Sequence, residues 1–418
     1  MRLDKRDSVF ILHAGGLGDL VLASGVLAAL RAARPTARIT LATRASVAPL
    51  VAVSPLRDAV DSVVPLPIDP YQWAAPSEIL FEALERTFAA IGRRPAETFV
   101  SAELRPTWLT FVLGAKLKPD IALTLRSVEY SRALVGAICE RFGLVIPAFR
   151  RYADARSRTH ELARYERLAK ALGAGPVERP HWPMPARARQ TLKTHGLTPH
   201  SYIACFPGGS AATPARRWAP DRFAAVLATV RERFGGRVLV AGDQGESELL
   251  EDVARRCREA GLEPHVFAGR LADAGALRTL VANAWGYLGN DTGPAHLAAV
   301  HGVPGVTVYG GGTWPSYAPW APGSAGVVHP LPCFGCFWDC AFGRAVCVEQ
   351  IPVDAVAETL ASVVAAPVAP PLVREVATFG PQVLALISDA SVTYRTAQVD
   401  RAARLEALLS QARKLRED

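Results

Sequence analysis

Short, nearly all-apolar runs alternate along this chain with longer stretches in which apolar residues recur every three or four positions. That is the pattern of strands buried on both faces and separated by amphipathic helices. Val9-Phe10-Ile11-Leu12 predicts a first strand, residues 13–18 a glycine-rich turn, and residues 19–33 a helix with Leu20, Leu27 and Leu30 on its inner face. Further strands are expected over 38–42, 63–66 and 98–100. Residues 150–172 are basic and favour helix, whereas 173–187 are rich in Gly and Pro and lack periodicity, which marks a linker between domains.

The same grammar restarts beyond the linker. Strands predicted over 202–206, 237–241, 266–268, 287–289 and 306–309 run respectively into Pro207-Gly208-Gly209-Ser210, Gly242-Asp243-Gln244-Gly245, Gly269, Asn290-Asp291-Thr292-Gly293 and Gly310-Gly311-Gly312. Each apolar run stops in small or polar residues. Open α/β sheets bind ligands outside the carboxyl ends of their strands, so the site is expected at these tips. The fold class that follows is α/β, with two Rossmann-like doubly wound domains facing across a cleft. The boundaries expected are 1–185 for the first domain, 186–365 for the second and 366–418 for an extension.

Composition narrows the picture. With 418 residues, half of them hydrophobic and 21% charged, the chain can build two cores and is not a disordered one. The net charge of +8 favours anionic partners such as a nucleotide, a phosphorylated glycan or a membrane face. No zinc-finger, zipper or RNA-binding aromatic signature appears, so nucleic acid is not expected. Residues 1–7 lead into a strand without a signal-peptide pattern, and the apolar window 353–373 is broken by Asp354, Glu358 and prolines. Cys139, Cys205 and Cys257 are isolated, as suits a reducing compartment. A cytoplasmic protein, peripheral at most to the inner membrane face, is the expectation.

Three tips carry chemistry. Gly15-Gly16-Leu17-Gly18-Asp19 follows the first strand and opens a helix, but a dinucleotide fingerprint begun at Gly16 needs a glycine where Val21 stands, and the second strand ends in Thr43-Arg44 without a ribose-binding acid. This argues against a nucleotide-dependent oxidoreductase, the alternative enzyme class. What remains is the Asp19 carboxylate beside mobile backbone at Gly16 and Gly18, serving either as a helix cap or in chemistry. In Asn290-Asp291-Thr292-Gly293-Pro294-Ala295-His296, the proline suits a first helical turn whose amides near Thr292 and Gly293 can face a phosphate. Asp291 can accept hydrogen bonds from sugar hydroxyls, and His296 belongs to packing or support. Arg216 and Arg217 follow Ser210 closely enough to pair with phosphate oxygens. Gln244 and Glu246 can accept ribose hydroxyls, although an acid at Glu246 also suits the start of the next helix.

With these loops in this order, Gly-Gly-Leu-Gly-Asp19-Leu, Pro-Gly-Gly-Ser210 with Arg216-Arg217-Trp218, Asn-Asp291-Thr-Gly-Pro-Ala-His296-Leu-Ala-Ala and Cys347-Val-Glu-Gln-Ile-Pro, the chain resembles glycosyltransferase family nine, the lipopolysaccharide heptosyltransferase family of the GT-B fold. The resemblance spans residues 9 to about 360. It implies an inverting glycosyltransferase in which Asp19 is the general base on the acceptor hydroxyl, Arg216 with Thr292 and Gly293 holds the donor's diphosphate, and Asp291 meets the donor sugar. A nucleotide-diphospho-sugar donor and a glycan or lipid-linked acceptor follow as partners, and catalysis needs no cofactor. Tyr309-Gly-Gly-Gly-Thr-Trp-Pro and the cysteines after it set the chain apart from the core heptosyltransferases. A non-catalytic relative that binds glycan or nucleotide would need Asp19 to be dispensable. Residues 366–418 are expected to be helical and to return to the first domain, as GT-B chains do.

Two further features enter as expectations. Arg105, Lys116, Lys118, Arg126 and Arg132 make the first domain basic, which suits an anionic or membrane-linked acceptor, with Arg105 assigned to the acceptor side. Cys333, Cys336, Cys340 and Cys347 place four soft ligands within fifteen residues, compatible with one structural zinc or iron, with free buried thiols, or with disulfides in an oxidising compartment.

Overall fold

The structure is a computed structural model that describes residues 7–72, 75–92, 96–103, 106–125, 132–153, 159–186, 188–209, 213–269, 273–331, 333–336, 338, 340 and 345–376. The chain divides into two compact units, Met1–Pro183 with Leu271–Gly275, and Met184–Arg270 with Ala276–Asp418.

The first unit is built on β1 (Ser8–His13), β2 (Arg38–Arg44), β3 (Ser62–Leu66), β4 (Thr98–Ser101), β5 (Ile121–Leu125) and β6 (Phe149–Ala153). They form a sheet in the order β3-β2-β1-β4-β5-β6, with every pairing parallel. The order reverses between β1 and β4, and such switch points leave a crevice at the strands' carboxyl ends. β1 is apolar because it is central: Phe10 and Leu12 are fully buried, while β6, at the edge, exposes Arg150 and Arg151. The helix Leu17–Ala33 is hydrophobic nearly all round because one side meets the sheet and another meets the helix Glu161–Ala171. Gly25 lets the segment at Glu178 press on the same helix, since a Cβ there would strike the Glu178 carbonyl.

The second unit is built on β7 (Ile203–Phe206), β8 (Arg237–Asp243), β9 (Glu263–Gly269), β10 (Gly286–Asn290), β11 (Gly305–Tyr309), β12 (Ser324–Val328) and β13 (Leu372–Glu375). Its parallel sheet has the order β13-β12-β11-β10-β7-β8-β9, so β7 and β10 flank the corresponding switch point. Trp218, Phe223 and Leu227 pack with Val238 and Val240 into one core, and truncating a buried leucine of this kind costs about 2–5 kcal/mol.

Four strands escape the sequence pattern. β5 has Thr124 interrupting its apolar residues, β6 and β13 are edge strands with exposed polar positions, and β12 is diluted by Ser324, Ala325 and Gly326. Two expectations are corrected. Residues 149–153 form strand where helix was expected, and helix starts only at Glu161. The segment after 365 does not open as a helical extension: Leu372–Glu375 adds to the second sheet beside β12. Residues 377–418 lie outside the described ones.

Candidate active site

At the first switch point the loop leaving β1 folds back on itself. Asp19 lies at the third position of the helix Leu17–Ala33, with Gly16 as the capping residue, and its Oδ2 accepts the Gly16 amide at 2.7 Å. Asp19 is thus not itself the N-cap but the acid three residues on that closes the cap in reverse. Glycine is required beneath it, because a Cβ on Gly15 would come within 2.7 Å of the Asp19 side chain. Arg44, at the end of β2, donates to the Gly15 carbonyl at 3.2 Å and pairs with Asp69 at 3.1 Å, so the position where a dehydrogenase keeps an acid holds a guanidinium that steadies this loop.

Across the switch point, Glu103 follows β4 and is 3% exposed. One of its carboxyl oxygens accepts the Ala14 amide at 3.2 Å, and the other accepts the hydroxyls of Ser101 at 3.2 Å and Thr110 at 3.1 Å. Burial pushes its pKa up to about 7 despite those donors. Beside it lie the buried His13, lowered chiefly by its loss of solvent, the buried pair Glu161 and Arg164, and Tyr165, whose hydroxyl is 3.4 Å from His13 Nε2 and 3.5 Å from the Asp19 carbonyl. Sequence reading missed Glu103. The one signal was an acid directly after a strand that otherwise ends in small residues.

The second switch point is assembled by Asn290, fully buried at the end of β10. Its Nδ2 donates to the carbonyls of Pro207 at 2.7 Å and Gly208 at 3.1 Å, and its Oδ1 accepts the Trp218 amide at 3.1 Å. One side chain therefore ties the tips of β7 and β10 together and fixes the segment that carries Arg216. Thr292 caps the helix Gly293–Val300 with Pro294 in its first turn, and first-turn amides have no acceptor within their own helix. Asp291 is 6% exposed and accepts the Thr313 hydroxyl at 3.3 Å. Arg216 places its guanidinium carbon 5.0 Å from the centre of the Trp338 ring.

Two residues grouped with the donor side are used internally. Glu246 accepts the amides of Gly209 at 2.7 Å and Asp243 at 3.0 Å, and its Oε1 also takes the Arg217 guanidinium at 3.2 Å. It fastens the β7 tip to the β8 tip. His296 is 4% exposed and takes the indole N–H of Trp320 on Nδ1 at 3.1 Å, as a packing residue does. Gln244 is exposed at the β8 tip, and Gly16 and Gly18 sit in the Asp19 loop. Ser210, Arg105 and Arg126 lie outside the described residues.

Cys333, Cys336, Cys340 and Cys347 stand near enough that a thiolate at any of the others disfavours ionisation of Cys340, after its hydrogen bond with Cys336 and burial; burial also pushes Cys347 up to about 11. Among the described residues, no three His, Cys, Asp or Glu side chains are placed as ligands of one metal ion. Nor is any helix among them long and apolar enough to cross a membrane.

Comparison with solved structures identifies the architecture. The chain superposes on E. coli ADP-heptose lps heptosyltransferase II with a TM-score of 0.61 at 14% identity, covering 86% of this chain and 98% of that one. It superposes on a glycosyl transferase family 9 protein from Veillonella parvula at 0.59 with 21% identity, covering 78% and 86%. Two doubly wound parallel sheets of this kind make a GT-B glycosyltransferase fold.

In sequence, the model of glycosyltransferase family 9 (heptosyltransferase) matches residues 137–342. A lipooligosaccharide heptosyltransferase 2 of Campylobacter jejuni is 27% identical over 157 residues, 36% of this chain and 47% of that protein. The chain therefore spans about half the length of the curated relative it matches. The resemblance to glycosyltransferase family nine carried by the loops is borne out by these matches.

Proposed function

We propose that this protein is an inverting glycosyltransferase that moves a heptose or a related sugar from a nucleotide-diphospho-sugar to a hydroxyl of a glycan or lipopolysaccharide-type acceptor. The observation that carries the reading is the pairing of chemistries at the two switch points: a loop-held carboxylate, Asp19, at one, and Arg216 with the amides of the Thr292–Gly293 helix start at the other. Departure of a nucleoside diphosphate builds negative charge as the glycosidic bond breaks. Fixed amides and a guanidinium hold that charge better in the transition state than in the ground state.

Asp19 takes the proton of the acceptor hydroxyl while its oxygen attacks the anomeric carbon. The new C–O bond forms as the bond to the diphosphate breaks, the pair of electrons leaves on the phosphate, and attack from the opposite face inverts the centre. Arg216, Thr292 and Gly293 are assigned to the diphosphate, Asp291 to the sugar hydroxyls, and Gln244 to the ribose. Glu246 supports the same pocket by holding Gly209. The solved E. coli heptosyltransferase WaaC, which matches with a TM-score of 0.56 at 16% identity over 84% of this chain and 98% of that one, holds ADP-2-deoxy-2-fluoro heptose, and this favours a donor of that class.

Lys116, Lys118 and Arg132 favour an anionic, lipid-linked acceptor, reached in the cytoplasm at the inner membrane face. The cysteine cluster is assigned a structural zinc or iron on its spacing, four soft ligands within fifteen residues. Less than about a tenth of a metal per chain in anaerobically purified protein would remove that assignment. The decisive experiment is incubation of the full chain with a panel of nucleotide-sugars, followed by mass spectrometry of nucleotide and product. Release of nucleoside diphosphate with transfer of one sugar is the expected result, and neither turnover nor binding of any donor would overturn the reading.

A further inference from the structure

We infer that Trp338, in the cysteine-bearing loop, is a positioning residue for the donor site: its ring holds the Arg216 guanidinium in place for the diphosphate. The inference rests on the nucleotide-sugar reading above and adds to it a residue that neither the motifs nor the comparisons assign.

Four observations converge on this ring. The Arg216 guanidinium carbon lies 5.0 Å from its centre, inside the range at which a cation is drawn to the face of an indole. The ring rests against the Gly310-Gly311-Gly312 tip of β11: a Cβ on Gly310 would come within 2.5 Å of Trp338 Cη2, and one on Gly312 would collide with its five-membered ring. Trp338 itself has φ 67°, a left-handed conformation uncommon for a bulky side chain and maintained only where the surroundings impose it. Its indole N–H is buried without a hydrogen-bond partner among the described residues, a further sign that the ring is placed for its face and not for its donor.

The neighbours show what imposes this placement. Phe334 packs over Gly311 as Trp338 packs over Gly310 and Gly312, and the Gly311 amide donates to Cys347 Sγ at 3.4 Å. Phe334, Trp338 and Cys347 are thereby all held against the β11 tip. One residue past that tip, Thr313 donates to Asp291 at 3.3 Å. The triple glycine thus has a physical purpose, because only a bare backbone lets two aromatic rings pack this closely against a strand tip. The Arg216 Nε is also buried without a partner among the described residues, so on that side the ring is what restrains it. Without it, an arginine ordered for a diphosphate would have to pay its rotamer entropy on binding.

The test is calorimetric binding of ADP, UDP, GDP and CDP to the full chain, in wild type, Trp338→Ala, Trp338→Leu, Trp338→Phe, Arg216→Ala and the double variant Arg216→Ala with Trp338→Ala. Thermal melting checks that each is folded. Trp338→Ala and Trp338→Leu are expected to weaken the preferred nucleotide about 3- to 30-fold, the range of a cation–aromatic contact, while Trp338→Phe restores most of the loss. The double variant should bind no more weakly than Arg216→Ala alone, a coupling that a merely structural role would not produce. If Trp338→Ala does not fold, the contrast between leucine and phenylalanine at that position carries the same decision. Unchanged affinity in the leucine variant, or an equal loss in the Arg216→Ala background, overturns the inference while leaving the donor reading intact. Wild-type protein that binds none of the four nucleotides overturns both.

Discussion

At the tip of β1 the groups gathered around the switch point are acids and their neighbours: Asp19 held on a glycine loop, Glu103 buried behind it, then His13, Tyr165 and the Glu161–Arg164 pair. At the tips of β7 and β10 they are backbone amides, Arg216 and an asparagine that binds the two tips together. The strand order around the two points is the same. The difference shows that two sheets of the same strand order can carry unlike groups on their tips, carboxylates in one unit and amides with a guanidinium in the other.

That contrast breaks most sharply at Asp19. Asp19→Asn keeps the size and an acceptor for the Gly16 amide, so transfer should fall about 10²–10⁴-fold while nucleoside diphosphate binding is unchanged. Turnover above about a tenth of wild type in a folded variant would reduce Asp19 to a helix-capping acid.

Next in size is the proton held by Glu103. Its carboxyl keeps a proton up to about 7 when folded but only to its ordinary 4.5 when unfolded, so between those values the native state binds more protons. The stability it contributes is therefore full below 4.5, falls as pH rises and is lost by about 7, a difference on the order of 3 kcal/mol. Glu103→Gln should flatten that part of the pH–stability curve in denaturant melts. A variant with the wild-type slope would show that Glu103 is ionised in the fold.

The proposed anion-binding role of the second unit is sharpened by Arg216→Ala and Thr292→Val. Loss of a charge-assisted contact should weaken nucleoside diphosphate about 10- to 100-fold for Arg216, and loss of the hydroxyl less, without a change in melting temperature beyond about 2 °C. If both variants bind as wild type does, the diphosphate lies elsewhere. The smallest effect expected is on the acceptor side: Lys116→Glu with Lys118→Glu should reduce transfer to an anionic lipid-linked acceptor a few-fold and leave neutral acceptors untouched, and the contrast should shrink with salt. Equal activity of the wild type on both acceptors would remove the assignment.

Much of this was legible along the chain. Central strands such as β1 and β10 are buried on both faces, so they read as continuous apolar runs whatever they pair with, and the small residues that end them mark the tips. Asp19, Arg216 and Thr292 could be singled out because they follow those ends within ten residues. Edge strands β6 and β13 were not, because one side of an edge faces water and the apolar run dissolves into Arg150, Arg151 and Arg374.

What only the tertiary structure decided is which distant residues share a tip. Glu103 reaches the Asp19 loop because β1 and β4 are neighbours in the sheet, although 89 positions separate it from Ala14. Trp338 meets Arg216 because a loop 122 residues later docks on three glycines at the end of β11. Local sequence sets the backbone's propensity and the chemistry each tip can offer. Pairings such as these depend on strand order and close packing, which arise only when the whole chain buries its apolar surface at once.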